Sequence, residues 1–156
     1  MHAPSNKQEA VLCFIVQPPR ILLIHKKRGL GAGKVNAPGG RIEVESGETT
    51  EEAAHRETME EIGVAPLNLR QKAWLDFEFT SGLWIRCHAF TASGYRGEIR
   101  ETDEAKPFWC DLHQIPFNQM WQDDAYWLPH ALNGSEVVGR FLFDGEAMVR
   151  CRLDIR

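Results

Sequence analysis

The 156-residue chain has no CxxC pair: its four cysteines, Cys13, Cys87, Cys110 and Cys151, stand far apart. That spacing argues against a zinc knuckle or a dithiol redox motif and suits buried thiols in a reducing compartment. Positive charge is not in excess either. Lys and Arg total 18 against 22 Asp and Glu, a formal charge of −4, so no basic face is expected for unspecific binding to a nucleic-acid polymer. No apolar run reaches membrane-spanning length. The first, residues 11–16, is also too short for a signal peptide, and Met1 to Glu9 contain no basic region followed by a long apolar stretch. A cytoplasmic monomer without membrane contact is the expectation. Repeats, low-complexity tracts and linkers are absent, and 43% hydrophobic with 26% charged residues is ordinary globular composition. One domain, 1–156, with a sizeable core is expected.

Several nucleotide and hydrolase motifs are missing as well. Walker A fails because Arg28 stands where its first glycine belongs and Val35 follows Gly33-Lys34. The dinucleotide fingerprint fails because Gly31 and Gly33 are followed by Asn36 in place of the third glycine. An HExxH helix and a serine nucleophile elbow are absent. An acidic chain that handles phosphates therefore needs a metal ion to supply positive charge.

Strands are predicted at 11–16 and 21–24, a hairpin broken at Pro18-Pro19. Further strands fall at 73–80 and 83–92 around Ser81-Gly82, at 108–110, and at 137–143 and 147–155 around Asp144-Gly145. The glycine-bearing stretch 26–40 reads as loop throughout. Thr49 with Glu52 makes a capping box for a helix that runs to about Ile62 and ends at Gly63. Asp123 or Asp124 caps a second, shorter helix ended by Asn133-Gly134. The coarse expectation is a mixed sheet with one or two helices packed on it.

The first helix carries Glu57, Glu60 and Glu61 at i, i+3 and i+4, within one arc of roughly 100°. Such a stripe is either solvated or bridged by cations, and its hard oxygens suit Mg²⁺ or Mn²⁺. A solvated acidic face is the plainer reading of three glutamates alone. The wider pattern decides otherwise. Gly39-Gly40, Glu48, Arg56-Glu57, Glu60-Glu61 and Gly63-Val64 together resemble the signature of the Nudix hydrolases, Gly-x5-Glu-x7-Arg-Glu-U-x-Glu-Glu-x-Gly-U, with U usually aliphatic. Two departures stand out. Seven residues separate Gly40 from Glu48 where the family has five, and Thr58 fills an aliphatic position with a hydroxyl that needs a partner.

The resemblance implies an α/β (α+β) fold, an α/β/α sandwich around a mixed sheet. It also implies Mg²⁺- or Mn²⁺-dependent attack of water on a nucleoside diphosphate linked to another moiety. Glu57, Glu60 and Glu61 would bind the metal, with the Gly39 carbonyl completing the shell, and Arg56 would orient a glutamate. Glu104 matches a further acidic site residue, either an extra metal ligand or the general base.

The segments 26–34 with Asn36, 77–79, 114–117 and 120–129 are similar to family members that hydrolyse oxidised purine nucleoside triphosphates. This likeness implies Asn36, Asp123 and Asp124 at the purine edge, Trp121 against its face, Lys26 on phosphate or substrate, and Phe77 as core or pocket wall. Two adjacent acids in a closed pocket do not both ionise easily, so one would carry a proton at neutral pH. The competing readings are a Nudix hydrolase of another nucleotide (ADP-ribose, a dinucleoside polyphosphate, capped RNA) and a non-catalytic nucleotide-binding module.

Overall fold

The computed structural model describes residues 7–156; the opening segment 1–6 lies outside them. The chain runs β1 (Lys7–Gln17), β2 (Arg20–Lys26), β3 (Val35–Asn36), β4 (Gly39–Arg41), α1 (Thr50–Ile62), β5 (Val64–Leu67), β6 (Arg70–Phe79), β7 (Trp84–Ala92), β8 (Gly94–Gly97), β9 (Ala105–Asp111), α2 (Asp124–Leu132), β10 (Val137–Asp144) and β11 (Ala147–Ile155). The large sheet has the order β11-β10-β6-β7-β1-β2-β3, with β4 added to β1 and β9 to β2. It is mixed: β1 runs parallel to β7 and β6 parallel to β10, while the hairpins are antiparallel.

Alternation along the strands gives the sheet two apolar faces. Val11, Cys13 and Ile15 of β1 pack with Ala53, Ala54 and Ile62 of α1. Phe14 of the same strand packs with Trp127, Leu128 and Ala131 of α2. One helix therefore lies on each face, as the expected sandwich requires. The capping box forms: Thr49 Oγ1 accepts from the Glu52 N–H at 3.1 Å and Glu52 Oε1 from the Thr49 N–H at 2.9 Å. Gly63 ends α1 at φ +80°, a left-handed conformation that glycine adopts without strain. The Thr58 hydroxyl is fully buried and donates to the Ala54 carbonyl at 2.7 Å, which satisfies it within its own helix.

Two expectations are corrected. Residues 35–36 and 39–41 are short strands, not loop: Asn36 pairs with Ile24, and Gly39 and Gly40 with Leu12 and Val11. Glycine carries no strand signal, so close backbone pairing was hidden there. The pair β5 and β8 forms a separate two-stranded sheet that sequence reading missed. Each is four residues long, too short for alternation to show.

β1 changes partner along its length. Ala10 to Leu12 pair with β4, whereas Ile15 to Gln17 pair with β2. The extended turn before α1 forms a 3-10 turn at Val44–Ser46, closed by Gly47 at φ +78°. Its base is pinned by Glu43 N–H to Glu48 Oε1 at 2.9 Å. Its exposed Val44 points away from the fold, so the two extra residues bulge outward and Glu48 keeps its place.

Candidate active site

Arg56 organises the acidic end of the site. Its Nε and Nη2 donate to the two Glu48 oxygens at 2.7 and 3.0 Å, and Nη2 also donates to the Arg41 carbonyl at 3.0 Å. Nη1 donates to Glu57 at 3.0 Å and to Glu60 at 3.2 Å. A planar fork makes these contacts, the geometry that an orienting role by ion pairing would use. The guanidinium holds Glu48 below the usual carboxylate range, and these carboxylates hold Arg56 firmly charged.

Glu57 and Glu61 face inward together. Burial raises the Glu57 carboxyl against the opposing pull of Arg56. Burial, with the charges of Glu57 and Glu104, pushes Glu61 up to about 8, although its Oε2 accepts the Gly39 N–H at 2.9 Å. Gly39 is required by contact, since a Cβ there would collide with the Val11 backbone carbonyl oxygen. A Cβ at Gly40 would lie 2.5 Å from the Glu57 carboxyl carbon, the movable end of a side chain, and would turn it from its place. The two glycines let β4 run beneath the helix carboxylates.

The other two acids stand apart from this pair. The Glu60 side chain is 51% exposed and answers to Arg56. Glu104 is more than one-third exposed and pairs with Arg28 at 3.4 Å. Its loop is tied to α1 through Thr102, whose hydroxyl donates to the Glu61 carbonyl at 2.7 Å and accepts the Glu104 N–H at 3.2 Å. Among the described residues no three His, Cys, Asp or Glu side chains converge as a ready-made cation cage. The donor set nevertheless fits a divalent cation: two desolvated carboxyls, Glu61 raised further by the charge of Glu57 and Glu57 by that of Glu60, gain most from a hard positive partner.

Next to Glu61 opens a cavity of about 140 Å³. Its lining joins Lys26, Asn36, Phe77, Trp121, Asp123 and Asp124, all six substrate residues expected from the sequence, with Gly39, Gly40 and Glu61. Asn36 Oδ1 accepts the Ala37 N–H at 2.8 Å, which leaves its amide NH₂ free to donate into the cavity. Asp123 is buried at the N-terminus of α2 but makes no side-chain cap. Its Oδ2 accepts the Trp127 indole N–H at 2.8 Å instead. The helix-cap expectation for this acid is thus replaced by a contact inside the core. Burial pushes Asp123 up to about 6, and burial with the Asp123 charge raises Asp124 further from its usual range. The adjacent buried acids do not both ionise easily, so the pair holds a proton more readily than an ordinary carboxylate does.

Sequence reading missed Leu30, Ile85, Cys87 and Phe143 of the lining. Phe143 stacks on Phe79 at 5.6 Å and meets Trp121 edge-on at 5.5 Å. The alternation of 141–143 marked an inward face but not the cavity behind it. The cysteines Cys13, Cys87, Cys110 and Cys151 are all free thiols; Cys13 and Cys87 are buried as expected, whereas Cys110 on β9 and Cys151 on β11 are only half-buried.

A family model described as the NUDIX domain matches residues 6–131. The chain belongs to the Nudix hydrolase family. An oxidized purine nucleoside triphosphate hydrolase of Danio rerio is 44% identical over 145 residues, covering 92% of each chain. The mouse protein of the same name is 40% identical over 143 residues, covering 91% of this chain and 90% of that one. A crystallised mutator MutT protein of Bacillus halodurans superposes with a TM-score of 0.83 at 27% identity, covering 94% of this chain and 97% of its own. This Nudix hydrolase is an enzyme of a family that uses divalent metal ions. No helix among the described residues is long and apolar enough to cross a membrane.

Proposed function

We propose that this Nudix hydrolase cleaves oxidised purine nucleoside triphosphates to the monophosphate and pyrophosphate, clearing them from the nucleotide pool. The substrates are 8-oxo-dGTP and, with it, 2-hydroxy-dATP and O6-methyl-dGTP; the names of the fish and mouse relatives support the class. The observation that carries the reading is one lining shared by base-edge groups and an acidic end: Asn36, Asp123 and Asp124 open onto the same cavity as Glu61 and Gly39.

Asn36 offers an N–H donor, and the Asp123–Asp124 pair, sharing a proton, offers an O–H donor beside acceptor oxygens, with Asp123 held by the Trp127 N–H. A purine whose edge has gained an oxo group matches such a mixed set. Trp121 presents an aromatic face for stacking and Lys26 a cation for phosphate. At the other end Glu57 and Glu61, joined by Glu60, Glu104 and the Gly39 carbonyl, are the groups to hold Mg²⁺ or Mn²⁺. When held by these groups, such an ion would supply positive charge for phosphate oxygens and would make water more acidic near neutral pH. Arg56 keeps Glu57 turned inward, and Glu104 serves as ligand or as base. We assign the chain to a cytoplasmic monomer, single in domain, that engages neither membrane nor nucleic-acid polymer.

A parallel assay of 8-oxo-dGTP, dGTP, 2-hydroxy-dATP and ADP-ribose with Mg²⁺ tests the proposal. Preference for the oxidised purines supports it. Turnover of ADP-ribose alone contradicts the base pocket while leaving the family chemistry intact.

A further inference from the structure

We infer that Lys34 is a positioning and specificity residue, holding Trp121 from outside the cavity for stacking against an electron-rich, oxo-substituted purine. The inference rests on the substrate class proposed above.

Trp121 belongs to no strand or helix, so its ring must be fixed by its neighbours. Phe79 and Phe143 meet it edge-on, at 6.1 Å and 80° and at 5.5 Å and 89°. Gly31 closes down on its rim: at φ +82°, a Cβ on this residue would lie 2.7 Å from the indole Nε1. The ring face is covered by Lys34, whose Nζ stands 5.1 Å from the ring centroid. The same Nζ pairs with Glu146 Oε1 at 3.1 Å, across to the turn between β10 and β11. Its backbone is pinned on both sides, Lys34 N–H to the Gly31 carbonyl at 3.0 Å and Lys26 N–H to the Lys34 carbonyl at 3.0 Å. One side chain therefore fastens two turns over one indole.

Lys34 is not a lining residue of the cavity, whereas Trp121 and Leu30 are. The ammonium thus attracts the ring's π electrons from outside. The indole becomes a poorer donor toward the cavity, which favours stacking with an electron-rich base over an electron-poor one. The Lys34 side chain is 23% exposed, so its charge is only partly screened, while Glu146 at 72% is largely solvated and fixes direction more than it neutralises.

The test is steady-state kinetics on 8-oxo-dGTP and dGTP for the wild type, Lys34→Met and Lys34→Arg, each checked for an unchanged melting temperature. Methionine keeps the aliphatic reach without the charge, and arginine keeps a cation that stacks on indole. Lys34→Met should raise KM for 8-oxo-dGTP roughly three- to tenfold, with kcat little changed and a smaller effect on dGTP; Lys34→Arg should restore the wild-type KM. An unchanged KM in Lys34→Met overturns the inference. So does an equal rise for both nucleotides, which would mark Lys34 as a phosphate contact, or a failure of arginine to restore KM. Wild-type protein that turns over neither nucleotide overturns the substrate reading and this inference together; wild-type turnover with an indifferent Lys34→Met overturns the inference alone.

Discussion

Arg56 binds Glu48 through two hydrogen bonds, Nε to Oε2 at 2.7 Å and Nη2 to Oε1 at 3.0 Å, just past the outward bulge that precedes the helix. The bulge lengthens the connection without loosening the contact, because Glu43 N–H holds Glu48 from the other side. Arg56→Lys keeps the charge but cannot make both bonds and still reach Glu57. We expect a stability loss of about 1–3 kcal/mol in urea unfolding, together with a fall in kcat as Glu57 loses its orientation. Unchanged stability and rate would show the fork to be incidental.

Gly40→Ala sets a methyl against the Glu57 carboxyl, 2.5 Å from its carbon. The carboxyl end of Glu57 can turn aside, so the variant should lose no more than about 1 kcal/mol, and its turnover should fall further than that loss of folded protein explains. Circular dichroism and kinetics on one preparation separate the two effects.

Glu61→Gln retains an oxygen for the Gly39 N–H and removes a carboxyl that burial raises to about 8. Turnover should drop by about 10–100-fold or more, and metal-free stability should hold or rise. Saturating Mg²⁺ should stabilise the wild type by about 3 kcal/mol at a hundredfold excess over Kd and have little effect on the variant. Glu60→Gln, at an exposed position, should lose most turnover with its melting temperature intact. Full activity in either variant would contradict its assignment to the metal.

The acid pair predicts an inverted pH dependence. Asp123 is raised from 3.8 to about 6 in the folded protein, and Asp124 is raised as well. Between these values the unfolded chain has released protons that the folded chain keeps. This contribution to stability is therefore fully present below about pH 4 and is lost as pH rises through 6, at most about 1.4 kcal/mol per pH unit per group. Asp123→Asn removes the dependence at that position. Urea midpoints at pH 4.5 and 7 should thus shift less in Asp123→Asn than in the wild type; parallel shifts would contradict the raised carboxyl. Both Asp123→Asn and Asp124→Asn should also weaken purine discrimination more than turnover itself.

Much of this architecture is legible in the sequence because its signals are local. Thr49 and Glu52 announce the helix start, Gly63 its end, and Asp144-Gly145 the last hairpin. The catalytic helix is readable from 3.6-residue spacing and a long motif. What was not legible depends on distant contacts. Whether Glu60 turns to Arg56 or inward with Glu61 depends on where Arg56 is held, and Glu48, eight residues before Arg56, holds it. Asp123 could be a helix cap by its position alone; only the packing of Trp127 beneath it makes it a buried acid. The strands of 35–36 and 39–41 exist through their partners in β2 and β1, not through any preference of their own.

Pyrophosphate release from 8-oxo-dGTP and dGTP, measured side by side with Mg²⁺, decides on the base pocket and the metal site together. Turnover of 8-oxo-dGTP should be the faster at low substrate concentration and should be abolished by a chelator. Equal rates on the two nucleotides would contradict the base pocket of Asn36, Asp123 and Asp124, and pyrophosphate release undiminished by the chelator would contradict the metal site at Glu57 and Glu61.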